Sequence, residues 1–178
     1  MVYLALLRGV NVGGKNLIRM DALKSAFEGL GFTDVKTYIQ SGNVIFSSAE
    51  KDKSAIAKKI REEIRETFGA DTDILVFTGK QIRTVVAEAP PDYGTDEAWK
   101  YDVLFFADTC NPEDVILDFP VREGVDRIHL GRQVIYAARL KSLASRSHIS
   151  RIIGMPFYRS LSIRNWNTTR KLNELLGN

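Results

Sequence analysis

Between Arg8 and Asn16 the chain reads Arg-Gly-Val-Asn-Val-Gly-Gly-Lys-Asn, gathering glycine-rich backbone and two cations into one short segment. Gly9, Gly13 and Gly14 let peptide N–H groups turn toward a ligand, and Arg8 and Lys15 set positive charge at the two ends. The chemistry this suits is anion binding, and nothing in the segment dictates a reaction. Gly9 to Lys15 keeps the spacing of the phosphate-binding P-loop, G-x-x-x-x-G-K-[ST]. Asn16 breaks the match, because an amide cannot replace the hydroxyl that holds magnesium. Leu104 to Asp108 ends an apolar run on an acid as a Walker B strand does, but the hairpins of this chain do not suit an all-parallel nucleotide-binding sheet.

A second concentration of charge lies at the other end. Residues 130–178 hold nine Lys or Arg against a single acid, Glu174, although the whole chain carries only +3. A basic end on an otherwise net acidic chain favours an anionic partner, either a phosphorylated small molecule or a nucleic acid. Elsewhere the chemistry is thin. Cys110 is the only cysteine, which allows neither an intrachain disulfide nor a thiolate cluster, and His129 and His148 are the only histidines. No metal site and no cofactor are expected. Ser145, Ser147 and His148 fall on a helix start, an arrangement that does not make a nucleophilic triad. For a reactive thiolate, Cys110 has only the helix opening at Asn111-Pro112 to draw on. Catalytic residues are left unassigned.

The elements that must position these groups follow from periodicity. The 178 residues, 44% hydrophobic and 26% charged, suffice for one medium domain or two small ones, and no apolar run reaches membrane-spanning length. With no signal pattern after Met1, a cytoplasmic protein is expected. Val2–Leu7 reads as a buried strand, Asp21 as the cap of a helix through Leu23, Ala26, Phe27 and Leu30, and residues 35–39 and 44–46 as a hairpin about Ser41-Gly42-Asn43. Ile56, Ile60, Ile64 and Phe68 mark a second helix, and residues 74–77 a fourth strand. The order is βαββαβ, the ferredoxin-like plan.

After a short helix near residues 81–87, Ala89-Pro90-Pro91-Asp92-Tyr93-Gly94 cannot continue as helix and reads as a linker. The pattern then repeats. Residues 101–106 form a strand, 112–117 a helix, 125–130 and 133–138 a hairpin, 147–153 a short helix, 158–163 a strand, and a terminal helix is capped by Asn165 or Asn167. The expectation is an α+β protein of two tandem ferredoxin-like subdomains with antiparallel sheets, at residues 1–88 and 100–178, joined by 89–99.

This topology brings the end of the first strand to the hairpin between strands two and three, so Arg8, Asn11, Gly13, Gly14 and Lys15 should adjoin Gln40, Ser41 and Asn43. In the second unit it draws Arg139 and Lys141 toward Arg164, Asn165 and Asn167 at the start of the terminal helix, a second anion site. The bland alternatives are that asparagine and glycine merely build turns, and that Trp166 is a core anchor beside a helix cap. A sheet-face RNA binder is disfavoured, since the third strand lacks the stacking aromatics and the first is apolar on both faces. That apolarity calls for a covered sheet, supplied by the other unit or by a dimer.

Tyr3 through Asn16, then Thr37-Tyr38-Ile39-Gln40-Ser41-Gly42-Asn43-Val44, and finally Arg164-Asn165-Trp166-Asn167-Thr168 with Lys171-Leu172, closely resemble the bacterial domain-of-unknown-function family 1697. The resemblance runs over nearly the whole chain and implies two tandem ferredoxin-like subdomains, with no activity to carry over. One departure is Ser162-Ile163 where a pair of threonines is expected before the arginine, which weakens a role for hydroxyls there. The leading expectation is binding of an anionic, phosphate-bearing small ligand by the Gly-rich loop. The alternatives are a nucleic-acid binder working through the basic C-terminal region, an enzyme acting on a small anionic metabolite, and a module whose loops merely turn.

Overall fold

The computed structural model describes residues 1–11 and 17–177 of the chain. They divide into two compact units, Met1–Ile82 with Leu172–Asn178, and Arg83–Lys171.

The first unit carries β1 (Val2–Leu7), α1 (Met20–Gly29), β2 (Thr33–Tyr38), β3 (Asn43–Ser47), α2 (Lys53–Phe68) and β4 (Ile74–Thr78), and α3 (Gly79–Ala87) follows. The sheet order is β2-β3-β1-β4 with every pairing antiparallel, the ferredoxin-like arrangement. Alternation along β1 sends Tyr3, Ala5 and Leu7 into a core with Leu23 and Phe27 of α1 and Ile56, Ile60 and Ile64 of α2. Leu4 and Leu6, on the opposite face of the same strand, are also fully buried, so the continuous apolar run does mark a sheet covered on both sides. Asp52 caps α2 by accepting from the Ser54 and Ala55 N–H groups at 2.8 and 3.3 Å. Asp21, expected to cap α1, instead lies inside its first turn; Arg19 is the N-cap residue, and its guanidinium pairs with Asp21 at 2.7 Å.

The second unit repeats the strand plan with β5 (Trp99–Phe106), α4 (Pro112–Leu117), β6 (Asp126–Gly131), β7 (Val134–Leu140) and β8 (Leu161–Asn165), in the order β6-β7-β5-β8 and again antiparallel throughout. Asn111 caps α4, and α5 (Trp166–Gly177) ends the chain. Here the helix expected between strands three and four is replaced by three 3-10 segments, Lys141–Arg146, Ile149–Gly154 and Pro156–Ser160. The cause is local: Ser147 Oγ accepts from the Ile149 N–H at 3.2 Å, and Pro156, which lacks an N–H, follows Gly154 by two residues. The last strand accordingly starts at Leu161, three residues beyond the expected Tyr158. Ile149 and Ile152 still reach the core, joining Leu104, Phe106, Ile135, Ala137 and Leu161.

Residues 89–99 pack within the second unit. Two left-handed positions, Asp92 and Gly94, flank Tyr93 and turn its ring onto the sheet. The Tyr93 hydroxyl donates to the carbonyls of Asp102 (2.7 Å) and Ala137 (3.0 Å), and its ring meets Tyr101, Tyr136 and Trp166 edge-on. Only glycine suits position 94, where φ is +92° and an added Cβ would fall 2.2 Å from Trp166 Cδ1. Among the described residues, no helix is long and apolar enough to cross a membrane.

Candidate functional site

The end of β1 meets the β2–β3 turn, as the topology requires. The Leu7 N–H donates to the Gly42 carbonyl at 2.8 Å, and a Cβ on Gly42 (φ +68°) would lie 2.8 Å from Leu7 Cβ, so glycine is what lets the turn close onto the strand. Asn11, itself left-handed at φ 57°, joins three pieces of backbone. Its Nδ2 donates to the carbonyls of Ile18 (2.9 Å) and Gln40 (3.0 Å), and its Oδ1 accepts from the Ile18 N–H at 2.8 Å. The two ends of the intervening segment are thereby clamped to each other and to the hairpin. Gly13, Gly14 and Lys15 lie within that segment, outside the described residues.

The hairpin has its own internal lock. Asn43, fully buried, donates from Nδ2 to the Tyr38 carbonyl at 3.0 Å and to Ser41 Oγ at 2.8 Å, while Gln40 stands exposed. Of the polar side chains expected to face a ligand, the Asn11 and Asn43 amides are thus engaged in holding the frame. Arg8 is half-buried against Asp73, Nη1 to Oδ2 at 3.6 Å, and Asp73 also lies 3.8 Å from Arg61 of α2. Backbone bonds reinforce the pairing: the Arg8 N–H donates to the Asp73 carbonyl at 3.0 Å, and the Thr72 hydroxyl donates to the Arg8 carbonyl. Thr72, Asp73 and Arg61 escape sequence reading because no local pattern ties them to a loop more than fifty residues earlier.

The second expected cluster separates into two faces of the sheet. Register pairs Asp102 with Ala137 and Asn165, and Val103 with Tyr136 and Arg164, so Arg164 and Asn165 point to opposite faces. Arg164 is buried, donates to Ser162 Oγ at 2.9 Å, and is pushed down by desolvation to a pKa of about 10. Arg139 pairs with the buried Asp102 at 3.3 Å, and Lys100 approaches the same carboxylate at 3.6 Å. Arg164 is thus withdrawn from solvent, and Arg139, half-buried, has its charge offset by Asp102. Asn165 is the cap of α5: Oδ1 accepts from the Asn167 N–H at 3.0 Å, and Nδ2 donates to the Tyr101 carbonyl at 3.0 Å. Asn165, Asn167 and Lys141 do share a cavity of about 410 Å³, lined also by Asp96, Glu97, Lys100 and Trp166. Its two lysines are balanced by two acids, a polar setting without net charge.

The remaining titratable groups offer little chemistry. Burial raises the Cys110 pKa, with Asp114 adding to the effect, which disfavours a thiolate. Among the described residues, no three His, Cys, Asp or Glu side chains gather as metal ligands would.

The comparisons agree with this architecture. The chain is similar to the conserved bacterial protein SP0830 from Streptococcus pneumoniae, whose structure superposes with a TM-score of 0.85 at 25% identity over 98% of each chain. No curated protein matches the chain. A match over residues 1–136, from β1 into β7, shows that the chain belongs to the DUF1697 family of proteins of unknown function.

Proposed function

We propose that this is a bacterial, cytoplasmic binding protein for an anionic, phosphate-bearing small ligand, held by the Gly-rich segment that follows β1. The observation that supports this reading is the clamp at Asn11. One side chain ties both ends of the segment, Asn11 and Ile18, to each other and to Gln40. A loop whose ends are fixed loses less conformational freedom on binding, and glycine N–H groups beside lysine are the groups a phosphate needs. Ser41 and the exposed Gln40 border the same frame. Arg8, already facing Asp73, adds a moderated positive charge at the base of the loop. The nucleic-acid alternative loses Arg139 and Arg164, which are engaged inside their own unit, and would rest on the exposed Arg132, Lys141, Arg146, Arg151, Arg159 and Arg170.

A thermal-shift screen of nucleotides, sugar phosphates and polyphosphate tests the reading. At least one compound should raise Tm, and that rise should vanish in Lys15→Ala. An equal rise in the variant places the ligand elsewhere.

A further inference from the structure

A cleft of about 440 Å³ opens in the second unit between the sheet and the 90–96 segment, and it owes nothing to the Gly-rich loop. Its floor is set by register. Arg127 of β6, Ala138 of β7 and Tyr101 of β5 lie side by side on one face, and His129 and Tyr136 form the adjacent row on that face. Ala138 is thus a small residue between a guanidinium and an aromatic ring, with Tyr93 descending beside it at 4.7 Å from the Tyr101 ring and 5.4 Å from that of Tyr136. Tyr136 is buried beneath this packing, and the half-buried Tyr93 and Tyr101 are the rings whose aromatic surface borders the short-side-chain floor and is available to a planar ring. The volume falls within the roughly 300–1,000 Å³ of small-molecule sites.

The polar groups at the rim narrow the class of ring. Arg127 lies over the face of Trp99, 3.9 Å from the ring centroid, which fixes the plane of the guanidinium and keeps its in-plane N–H donors for an acceptor. Asp96, also lining the cleft, accepts from the Ala98 N–H through Oδ1, and carboxylates accept from ring N–H or amino groups. Donors and acceptors around a stacking slot match a planar heterocycle whose edge carries both. We propose that this cleft binds a nucleobase-bearing small molecule, the base laid against the aromatic surface of Tyr93 and Tyr101 over Ala138 and hydrogen-bonded by Arg127 and Asp96.

The two tryptophans of the chain report on this site directly, since Trp99 carries Arg127 and Trp166 lies 5.2 Å from Tyr93. Intrinsic fluorescence of the intact protein titrated with adenosine, guanosine, cytidine and uridine should change saturably for at least one nucleoside and not for ribose. Filling the floor with Ala138→Leu should weaken that nucleoside at least tenfold, and so should Arg127→Ala, a change at an exposed position that spares the core. The assignment is overturned if no nucleoside gives a saturable change up to millimolar concentration, or if Arg127→Ala and Ala138→Leu, with far-UV circular dichroism unchanged, bind as wild type does. Lys15→Ala should leave this affinity intact, which separates failure here from failure of the loop reading.

Discussion

The two units share one strand order and differ in what closes the layer beneath it. In the first, the sixteen-residue α2 lays Ile56, Ile60 and Ile64 along one stripe against Tyr3, Ala5 and Leu7. In the second, three short 3-10 segments occupy that place in the chain order, and polar groups lie near the sheet end: Asp102 with Arg139 and Lys100, and Asp126 accepting backbone N–H groups from Arg122 and His148 at 2.9 and 2.8 Å. A regular helix satisfies its own backbone and so leaves its face free for apolar packing. Broken turns leave N–H groups that side chains must satisfy, and the buried Asp126 takes that of His148. Two of the second unit's cavities, about 410 and 440 Å³, border the 90–99 segment, whose geometry is equally irregular.

The contrast is most easily broken in the cores. Ile60→Ala should destabilise the first unit by about 4 kcal/mol, toward the upper part of the range for truncating a buried isoleucine, because a long helix cannot collapse into the space left. Ile152→Ala, equally buried in a short 3-10 segment, should cost about 2.5 kcal/mol, since short turns relax into the cavity. Urea unfolding followed by far-UV circular dichroism measures the first, and tryptophan fluorescence follows the second, both tryptophans lying in residues 83–171. Equal losses would mean that the helix and the turns are equally rigid supports.

Gly94→Ala falls between those two, at roughly 3 kcal/mol, from the clash with Trp166 joined to a left-handed backbone that alanine resists. The same fluorescence-detected unfolding should register it, with Trp166 emission shifted in the folded variant. Asp126→Ala should cost about 2 kcal/mol by leaving the Arg122 and His148 N–H groups without their acceptor, and their amides should then exchange with solvent faster than in wild type. The smallest effect belongs to the regular unit: Asp52→Ala removes the cap of α2 for about 1 kcal/mol, read by thermal unfolding.

Sequence periodicity carried most of this fold because the first unit obeys it so closely. Ile56, Ile60 and Ile64 define α2 by their spacing alone, and the Ser41-Gly42-Asn43 turn fixes the register that brings Leu7 to Gly42. The 141–160 segment was not legible in the same way. Its apolar residues keep helical spacing at Ile149 and Ile152, but Ser147, Gly154 and Pro156 each divert the backbone, and periodicity alone does not weigh them. At the site, adjacency of Arg8–Asn11 with Gln40–Asn43 followed from strand direction. The employment of Asn11 and Asn43 as structural clamps did not, since an amide looks the same whether it faces a ligand or a carbonyl. Arg139 and Arg164 read as a second anion site for a similar reason: Asp102, thirty-seven residues before Arg139, has no local tie to it, and burial of Arg164 depends on which face of β8 it takes.

The central claim, that the frame held by Asn11 presents a phosphate site, is tested most directly by native mass spectrometry of the freshly purified chain with the phosphate compounds that raise its Tm. Wild type should carry an adduct of the compound's mass, and Lys15→Ala, folded to the same charge-state distribution, should lose it. Wild type that stays bare with every compound, or an adduct held equally by Lys15→Ala, would contradict the account.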